Sequence, residues 1–195
     1  MNQTKVFDKL ENQLIRMEGE RLHVYDDGTG VPTIGIGRNI RDKGISDKEA
    51  SDLGISENTL NDIMSLKISH SAAIYLLRND IKEIESMLRQ FSWYCNLSDV
   101  RKDAIINIVF NVGETEFLAW TRTILALESG NFERAAKIML LKRNERDNCK
   151  WVFDVKTRAL ELSEQIRLGR YLTDIEIENL KPWYQKILMT KKFPL

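Results

Sequence analysis

Cysteine and proline are scarce in this sequence of 195 residues, which has two cysteines and three prolines, and an excess of either charge is missing, since the formal net charge is zero. The two cysteines, Cys95 and Cys149, are too few for a disulfide framework and lack the spacing of a zinc site, so we interpret them as free thiols in a reducing compartment. Because 29 Lys and Arg residues balance 29 Asp and Glu residues, no overall charge favours nucleic acid or an anionic membrane. We therefore expect no nucleic-acid partner.

Long apolar runs are missing as well. No stretch approaches the roughly 20 apolar residues of a membrane-spanning helix. The amino-terminal segment 1–19 lacks the apolar run of about 7 to 15 residues that a signal peptide needs. We expect a soluble globular protein that is made and held in the cytoplasm without membrane insertion. Any target outside that compartment has to be reached with the help of another protein.

The spacing of apolar residues predicts a helix followed by a hairpin. Phe7, Leu10, Leu14 and Met17 recur at helical intervals, which predicts an amphipathic helix that ends near Glu18. In "RLHVYDDGTGVPTIGIG", apolar and polar residues alternate on both sides of Asp-Gly-Thr-Gly. That pattern is typical of two strands joined by a tight turn.

The rest of the sequence has a helical pattern from Ser46 onward. "SDKE" and "TDIE" are capping boxes that begin helices, and the second predicts a short helix ending before Pro182. A long helix is expected over about 71–90, followed by one in "SDVRKDAIINIVFNVG" that starts at a Ser cap and is apolar on nearly all sides. The sequence therefore predicts the α+β class, mainly helical with one small β-hairpin near the amino terminus.

Two carboxylates around the hairpin have the placement of a catalytic pair. Glu18 falls in the last turn of the first helix, where the negative end of the helix dipole favours the protonated carboxyl that a general acid needs. Asp27 lies in the turn, where amides and water keep a carboxylate ionised, and the Thr33 hydroxyl is placed to hold a water beside it. Inverting glycoside hydrolysis requires such a set. On spacing alone a structural interpretation stays open, in which Glu18 is a solvated charge and the aspartates form the turn.

The glycines of the same stretch do not form a phosphate-binding loop. The GxGxxG pattern fails from both Gly28 and Gly35, and no GxxxxGK[ST] occurs. His23 and His70 have no third ligand at suitable spacing. We therefore expect neither a metal site nor a cofactor.

The stretch "MEGERLHVYDDGTGVPTIGIGR" resembles the active-site segment of the bacteriophage T4 lysozyme family, the phage-type lysozymes or endolysins of glycoside hydrolase family 24. Glu18, Asp27 and Thr33 match the family's catalytic positions without a gap, and the Gly-x-Gly pair begins at Gly35. Further along, "RKDAIINIVFNVGETEF" with the following "AWTRT" is similar to a second family signature. "KWVFDVKTRALEL" is similar to the closing Trp-x6-Arg-Ala helix. The resemblance covers about residues 4–170.

The resemblance implies an enzyme that cleaves the bond between N-acetylmuramic acid and N-acetylglucosamine in bacterial peptidoglycan. Glu18 would protonate the glycosidic oxygen. Asp27, with Thr33, would hold the attacking water on the opposite face of the sugar, which gives inversion. Phe110 and Thr123 would line the glycan site from a helical lobe, and the strand at Gly35 would leave room for the glycan against its backbone. Asp26, in contrast, is interpreted as a turn residue.

The same resemblance assigns structural roles and shows three departures from the family. Asn111 is placed to bind the indole of Trp151, and Arg158 matches the arginine of the closing helix. Arg38 stands where the family usually has His, so we expect a structural ion pair there to be rearranged. Ile138 stands where the family has a cleft Asn, and the loop before Trp151 is longer than the family's.

The architecture implied by the family is a small amino-terminal lobe with the hairpin, joined by a long helix to a larger all-helical lobe. We expect a lysozyme-like domain at 1–170, with the hairpin lobe at about 15–70 and the helical lobe at about 1–14 and 71–170. A carboxyl-terminal helical extension follows at 171–195. Its side chains that have helical spacing are expected to cap the fold, namely Trp183, Tyr184, Ile187 and Leu188.

The implied partners are bacterial peptidoglycan and a holin-like membrane-permeabilising protein. We expect a monomer that stays in the host cytoplasm until it is released to the cell wall at lysis. Two other functions remain open. A lytic transglycosylase would act on the same bond with a catalytic Glu but would need neither Asp27 nor Thr33. A peptidoglycan-binding module of the same fold without catalysis would be expected to lack one of the three residues, and none is missing.

Overall fold

The computed structural model of the protein describes most of the chain, namely residues 3–26, 28, 30–141 and 149–190. Within these ranges, side chains are described from residue 9 to residue 182 and at residue 185. The chain divides into two compact units, 1–83 and 84–195. None of the described helices is long and apolar enough to cross a membrane.

The first unit combines helices with a small antiparallel sheet whose strand order is β1-β2-β3. The sequence pattern predicts only the hairpin of β1 and β2, which is confirmed. The structure adds β3, whose two residues are too few to show an alternation. In chain order the elements are α1 (Gln3–Glu18), β1 (Arg21–Asp26), β2 (Pro32–Gly35), β3 (Arg38–Asn39), α2 (Asp47–Leu53), α3 (Glu57–Asn61), a 3-10 turn (Ile63–Ser65) and the first part of α4 (His70–Leu88).

The sheet has a small apolar core of its own. The core consists of Val24, Ile34, Ile40 and Leu66, all of them buried. The Val24 amide also donates to the Leu66 carbonyl at 3.3 Å, and the Ile68 amide donates to the Leu22 carbonyl at 2.9 Å. These bonds cover the outer edge of β1, which would otherwise offer unpaired backbone groups.

A buried arginine joins the sheet to two helices. Arg38, in β3, is only 4% exposed. Its Nη2 donates to Glu49 Oε2 at 2.7 Å, its Nη1 to Asp80 Oδ1 at 2.8 Å and its Nε to the Gly44 carbonyl at 2.9 Å. Glu49 belongs to α2 and Asp80 to α4. The ion pair at this position is therefore built by an arginine with two carboxylates.

Glu49 takes part in the predicted capping box of α2 as well. The Ser46 amide donates to Glu49 Oε2 at 3.0 Å, and the Glu49 amide donates to Ser46 Oγ at 3.3 Å. Burial alone would raise the pKa of Glu49, but the hydrogen bonds from Ser46 and Asn79 and the charge of Arg38 hold this pKa below its ordinary value. The carboxylate thus stays ionised opposite Arg38 at neutral pH.

The second unit is helical in its described residues. Its central helix, α6, is buried from Asp103 through Val109, as the apolar pattern predicts. Ser98 takes the cap position of α6, but its hydroxyl accepts no helix amide and instead accepts from Arg101 Nη1 at 3.4 Å. After the end of α4 the elements are α5 (Ser92–Cys95), α6 (Asp99–Val112), α7 (Glu114–Leu118), α8 (Thr121–Glu128), α9 (Phe132–Ile138), α10 (Lys150–Val155), α11 (Thr157–Leu168) and α12 (Asp174–Thr190).

The last helix is longer than the sequence pattern indicates. Its capping box is confirmed, since the Thr173 amide donates to Glu176 Oε2 at 2.9 Å and the Glu176 amide donates to Thr173 Oγ1 at 3.3 Å. The expected end before Pro182 is wrong, because α12 continues to Thr190. Pro182 and Glu178 are both exposed, so water can bond the carbonyl that the proline leaves without an amide donor. The four side chains expected to cap the fold, Trp183, Tyr184, Ile187 and Leu188, lie outside the described side chains.

A buried carboxyl connects α6 to the segment that precedes α12. Asp103 is 5% exposed, and the Tyr171 hydroxyl donates to its Oδ2 at 2.6 Å. Burial raises the pKa of Asp103 to about 7, and the negative charges of Asp99 and Glu85 act in the same direction. This carboxyl therefore changes its charge near neutral pH inside the folded protein.

Replacing Arg38 with Met should destabilise the first unit. The substitution leaves two buried carboxylates, Glu49 and Asp80, without the guanidinium between them, and loss of one partner from a buried ion pair costs about 3–5 kcal/mol. Urea unfolding measures the loss. The matched control is Lys48→Met, which removes an exposed ion pair with Asp52 worth less than about 1 kcal/mol. A loss for Arg38→Met no larger than that of the control would contradict the role given to Arg38.

Asp103 should make stability fall as pH rises toward neutrality. Its pKa is about 7 in the folded protein against an ordinary 3.8, so between these values the folded state binds more protons than the unfolded state. Asp103→Asn keeps an oxygen acceptor for Tyr171 and removes the titration. Urea unfolding should show the variant more stable than wild type by about 1–3 kcal/mol at pH 8 and similar to it at pH 4.5. Asp62→Asn, at an exposed position of the first unit, should keep the wild-type slope; identical slopes in all three proteins would refute the assignment.

Candidate active site

Glu18 is the last residue of α1, as the sequence predicts. The helix ends there because Gly19 adopts a φ of +75°, which favours glycine, and the Gly19 amide donates back to the Ile15 carbonyl at 2.8 Å. Glu18 is half-buried. Its carboxyl thus lies at the negative end of a helix of 16 residues.

Thr33 occupies the middle strand of the sheet. It pairs with Tyr25 of β1 on one side and with Asn39 of β3 on the other. Thr33 is 5% exposed, and its Oγ1 donates to the Val31 carbonyl at 3.2 Å. The neighbouring strands and this bond fix the direction of the hydroxyl.

The turn between β1 and β2 contains the second predicted carboxylate. Asp27 itself lies outside the described residues. Asp26, next to it, accepts hydrogen bonds at Oδ1 from the amides of Gly28 and Gly30, both at 2.8 Å. The interpretation of Asp26 as a turn residue is therefore confirmed.

Gly35 ends β2 with a φ of +66°, a conformation that side chains rarely adopt. A Cβ built on it would meet the Ala73 Cβ and the Ile68 Cδ1, each at 3.5 Å, which is ordinary van der Waals contact. The backbone conformation, more than the space around it, is thus what requires glycine here.

In the second unit, Thr123 opens onto a cavity of about 480 Å³. Thr123 lies in α8 and is 4% exposed, and Ile138 lines the same cavity. Phe110, in α6, is half-buried and is not among the described residues that line it. The loop 141–150 borders this cavity through its two ends, Leu141 and Lys150; residues 142–148 lie outside the described part of the chain.

Two tryptophans form one wall of this cavity. Trp151 Nε1 donates to Asn111 Oδ1 at 2.8 Å, the contact that the family resemblance implies. The Trp120 ring meets the Trp151 ring edge-on, with centroids 5.1 Å apart, and Trp120 Nε1 donates to Glu116 Oε1 at 3.3 Å. Trp120 and Glu116 are not among the site residues predicted from the sequence. Trp120 is the aromatic residue of "AWTRT", a motif that the family resemblance includes.

Arg158 holds α11 against α6. Its Nε and Nη2 donate to Asn107 Oδ1 at 3.1 and 2.8 Å, and Nη2 also donates to the Asn107 carbonyl at 3.1 Å. Arg158 is 8% exposed, so this fork of bonds fixes a buried guanidinium. Within the described residues, no group of three His, Cys, Asp or Glu side chains could hold a metal ion.

Comparison with known proteins gives the site its context. The family model for phage lysozyme matches residues 15–152. The probable T4-type lysozyme 1 of Dictyostelium discoideum is 31% identical over 161 residues, which cover 78% of this chain and 89% of that protein. The endolysin of Salmonella phage P22 is 29% identical over 129 residues, which cover 66% of this chain and 77% of that protein. Since the family match covers most of the chain and all predicted site residues except Arg158, this chain belongs to the phage lysozyme family.

Proposed function

We propose that this protein is an endolysin that hydrolyses the β-1,4 bond between N-acetylmuramic acid and N-acetylglucosamine in peptidoglycan. The observation that carries the proposal is Glu18, which ends α1 within the segment that matches the family. Thr33, from the same segment, lies in the same compact unit. Membership of the phage lysozyme family supports a glycoside hydrolase of the muramidase type.

Glu18 is the proposed general acid. Cleavage of a glycosidic bond requires a proton on the leaving oxygen, which a positioned carboxyl group can donate. The residue is half-buried, which leaves a face open to substrate.

Asp27 and Thr33 are the proposed water-holding pair. The Thr33 proton is directed to the Val31 carbonyl, so the hydroxyl oxygen is oriented to accept a hydrogen bond from a water. Asp27 would accept the second proton of that water and act as the base. Attack from the face opposite Glu18 then inverts the anomeric carbon. A transglycosylase forms an anhydro ring within the sugar and needs no bound water. The presence of both Asp27 and Thr33 therefore favours hydrolysis over transglycosylation.

Glycan contacts are proposed in both units. The tryptophan wall beside Thr123 offers flat apolar surface and hydroxyl groups, the usual lining of a small-molecule site. Phe110 of α6 and the backbone at Gly35 are proposed as further contacts. Asn111 supports the site indirectly, because its bond to the Trp151 indole fixes one wall.

The biological setting is proposed from the relatives. The endolysin of phage P22 is among the similar proteins. We therefore propose that the enzyme acts as a monomer, accumulates in the host cytoplasm and reaches the wall at lysis through a holin-like membrane-permeabilising protein.

Glu18→Gln should abolish the activity while leaving the fold intact. The amide has the same size as the carboxyl but cannot donate the proton, and general acid catalysis contributes about 10²–10⁴-fold to rate. Release of reducing ends from purified peptidoglycan measures the effect. The control is Glu20→Gln, which alters an exposed carboxylate bonded to His70 and should cleave close to the wild-type rate. Equal rates for wild type and Glu18→Gln, or no release by wild type, would refute the proposed function.

A further inference from the structure

The turn between β1 and β2 is fastened to the end of β1 by a single carboxylate oxygen. Asp26 is the last residue of β1 and pairs with Pro32, the first residue of β2. Its Oδ1 accepts from the amides of Gly28 and Gly30, both at 2.8 Å. One side chain therefore fixes the backbone at two points beyond the strand.

The two glycines allow this arrangement through their backbone conformation. Gly28 has a φ of +93° and Gly30 a φ of +79°, and both values favour glycine. Apart from the two chain neighbours of each glycine, no atom of the described residues lies within 4 Å of a Cβ built on either one. Space is thus available for side chains, and the requirement for glycine comes from turning both amides toward Asp26.

The other side of the turn is fastened to the loop after β3. Arg41 Nη2 donates to the Gly30 carbonyl. The loop that carries Arg41 is closed by Asn39 and Asp42, since Asn39 Nδ2 donates to Asp42 Oδ2 at 2.7 Å and the Asp42 amide donates to Asn39 Oδ1 at 3.0 Å. Asn39 in turn pairs with Thr33. Gly30 is therefore bonded to β1 through its amide and to the β3 loop through its carbonyl.

We propose that Asp26 and Arg41 are positioning residues for the hydrolysis, which hold the turn that carries Asp27 in the sequence. This inference rests on the proposed function, which assigns the water to Asp27 and Thr33. The fastened points, Asp26, Gly28 and Gly30, lie on either side of residue 27 in the sequence. Neither Asp26 nor Arg41 touches the reacting atoms in this scheme.

Stability alone does not account for the arrangement. Asp26 and Arg41 are both exposed, and hydrogen bonds at exposed charged groups contribute little to folding. Their bonds converge on one short turn, where a displacement of about 1 Å in a catalytic group costs about 10²-fold in rate. The two adjacent aspartates therefore have different proposed roles. Asp26 Oδ1 accepts two backbone amides, whereas Asp27 is the proposed base.

The test compares Asp26→Ala with Asp26→Asn on soluble peptidoglycan glycan strands. Asp26→Ala removes the acceptor and should lower kcat about 10–100-fold while KM and the thermal midpoint stay near wild type. Asp26→Asn keeps an oxygen that can accept both amides and should restore most of kcat. Arg41→Met should lower kcat in the same way, whereas Arg89→Met, which removes an exposed guanidinium bonded to Glu85, should not.

Amide hydrogen exchange gives a readout that does not depend on catalysis. The Gly28 and Gly30 amides should exchange faster in Asp26→Ala than in wild type or Asp26→Asn. An active wild type with full kcat in Asp26→Ala would overturn the positioning role and leave the proposed function standing. A kcat for Asp26→Asn as low as that for Asp26→Ala would also overturn it, since the charge of Asp26 and not its acceptor would then matter. An inactive wild type would refute the proposed function itself.

Discussion

The Arg38 guanidinium lies buried between two carboxylates that come from different helices, and the geometry of the first unit depends on it. Arg38 donates to Glu49 of α2, to Asp80 of α4 and to the Gly44 carbonyl in the loop that follows β3. A buried charge of this kind requires hydrogen-bond partners in good geometry, so the three bonds favour one arrangement of these segments. Because β3 pairs with β2, the fixed position of Arg38 extends to Thr33 in the middle strand.

At the surface, the hairpin turn is also held by side-chain hydrogen bonds from two separate segments. Asp26 and Arg41 hold the turn from β1 and from the β3 loop, so a buried arginine, Arg38, and an exposed one, Arg41, both bond segments of the first unit. The proposed chemistry uses residues on defined elements: Glu18 is the last residue of α1, and Thr33 lies between two paired strands. The proposed catalytic residues thus lie in a unit whose polar contacts include both neighbouring and distant residues of the sequence.

Much of this arrangement can be predicted from the sequence, because its signals are local. Helix periodicity, the capping box at Ser46 and the turn residues around Asp26 each act over a few positions, and the structure confirms them. The partners of Arg38 could not be predicted, since Glu49 and Asp80 lie 11 and 42 residues along the chain and a single sequence does not show which distant charges meet. Strand β3 has only two residues, too few to show a periodic pattern. The end of α12 was predicted wrongly because proline was expected to end the helix.

The central claim is that a held water attacks the sugar from the face opposite Glu18. Proton NMR of the first products from purified peptidoglycan, recorded before mutarotation, tests it most directly. Because the proposed substrate bond is β-1,4, inversion predicts that the new reducing N-acetylmuramic acid appears first as the α-anomer. Initial formation of the β-anomer, or of 1,6-anhydro ends, would contradict the account.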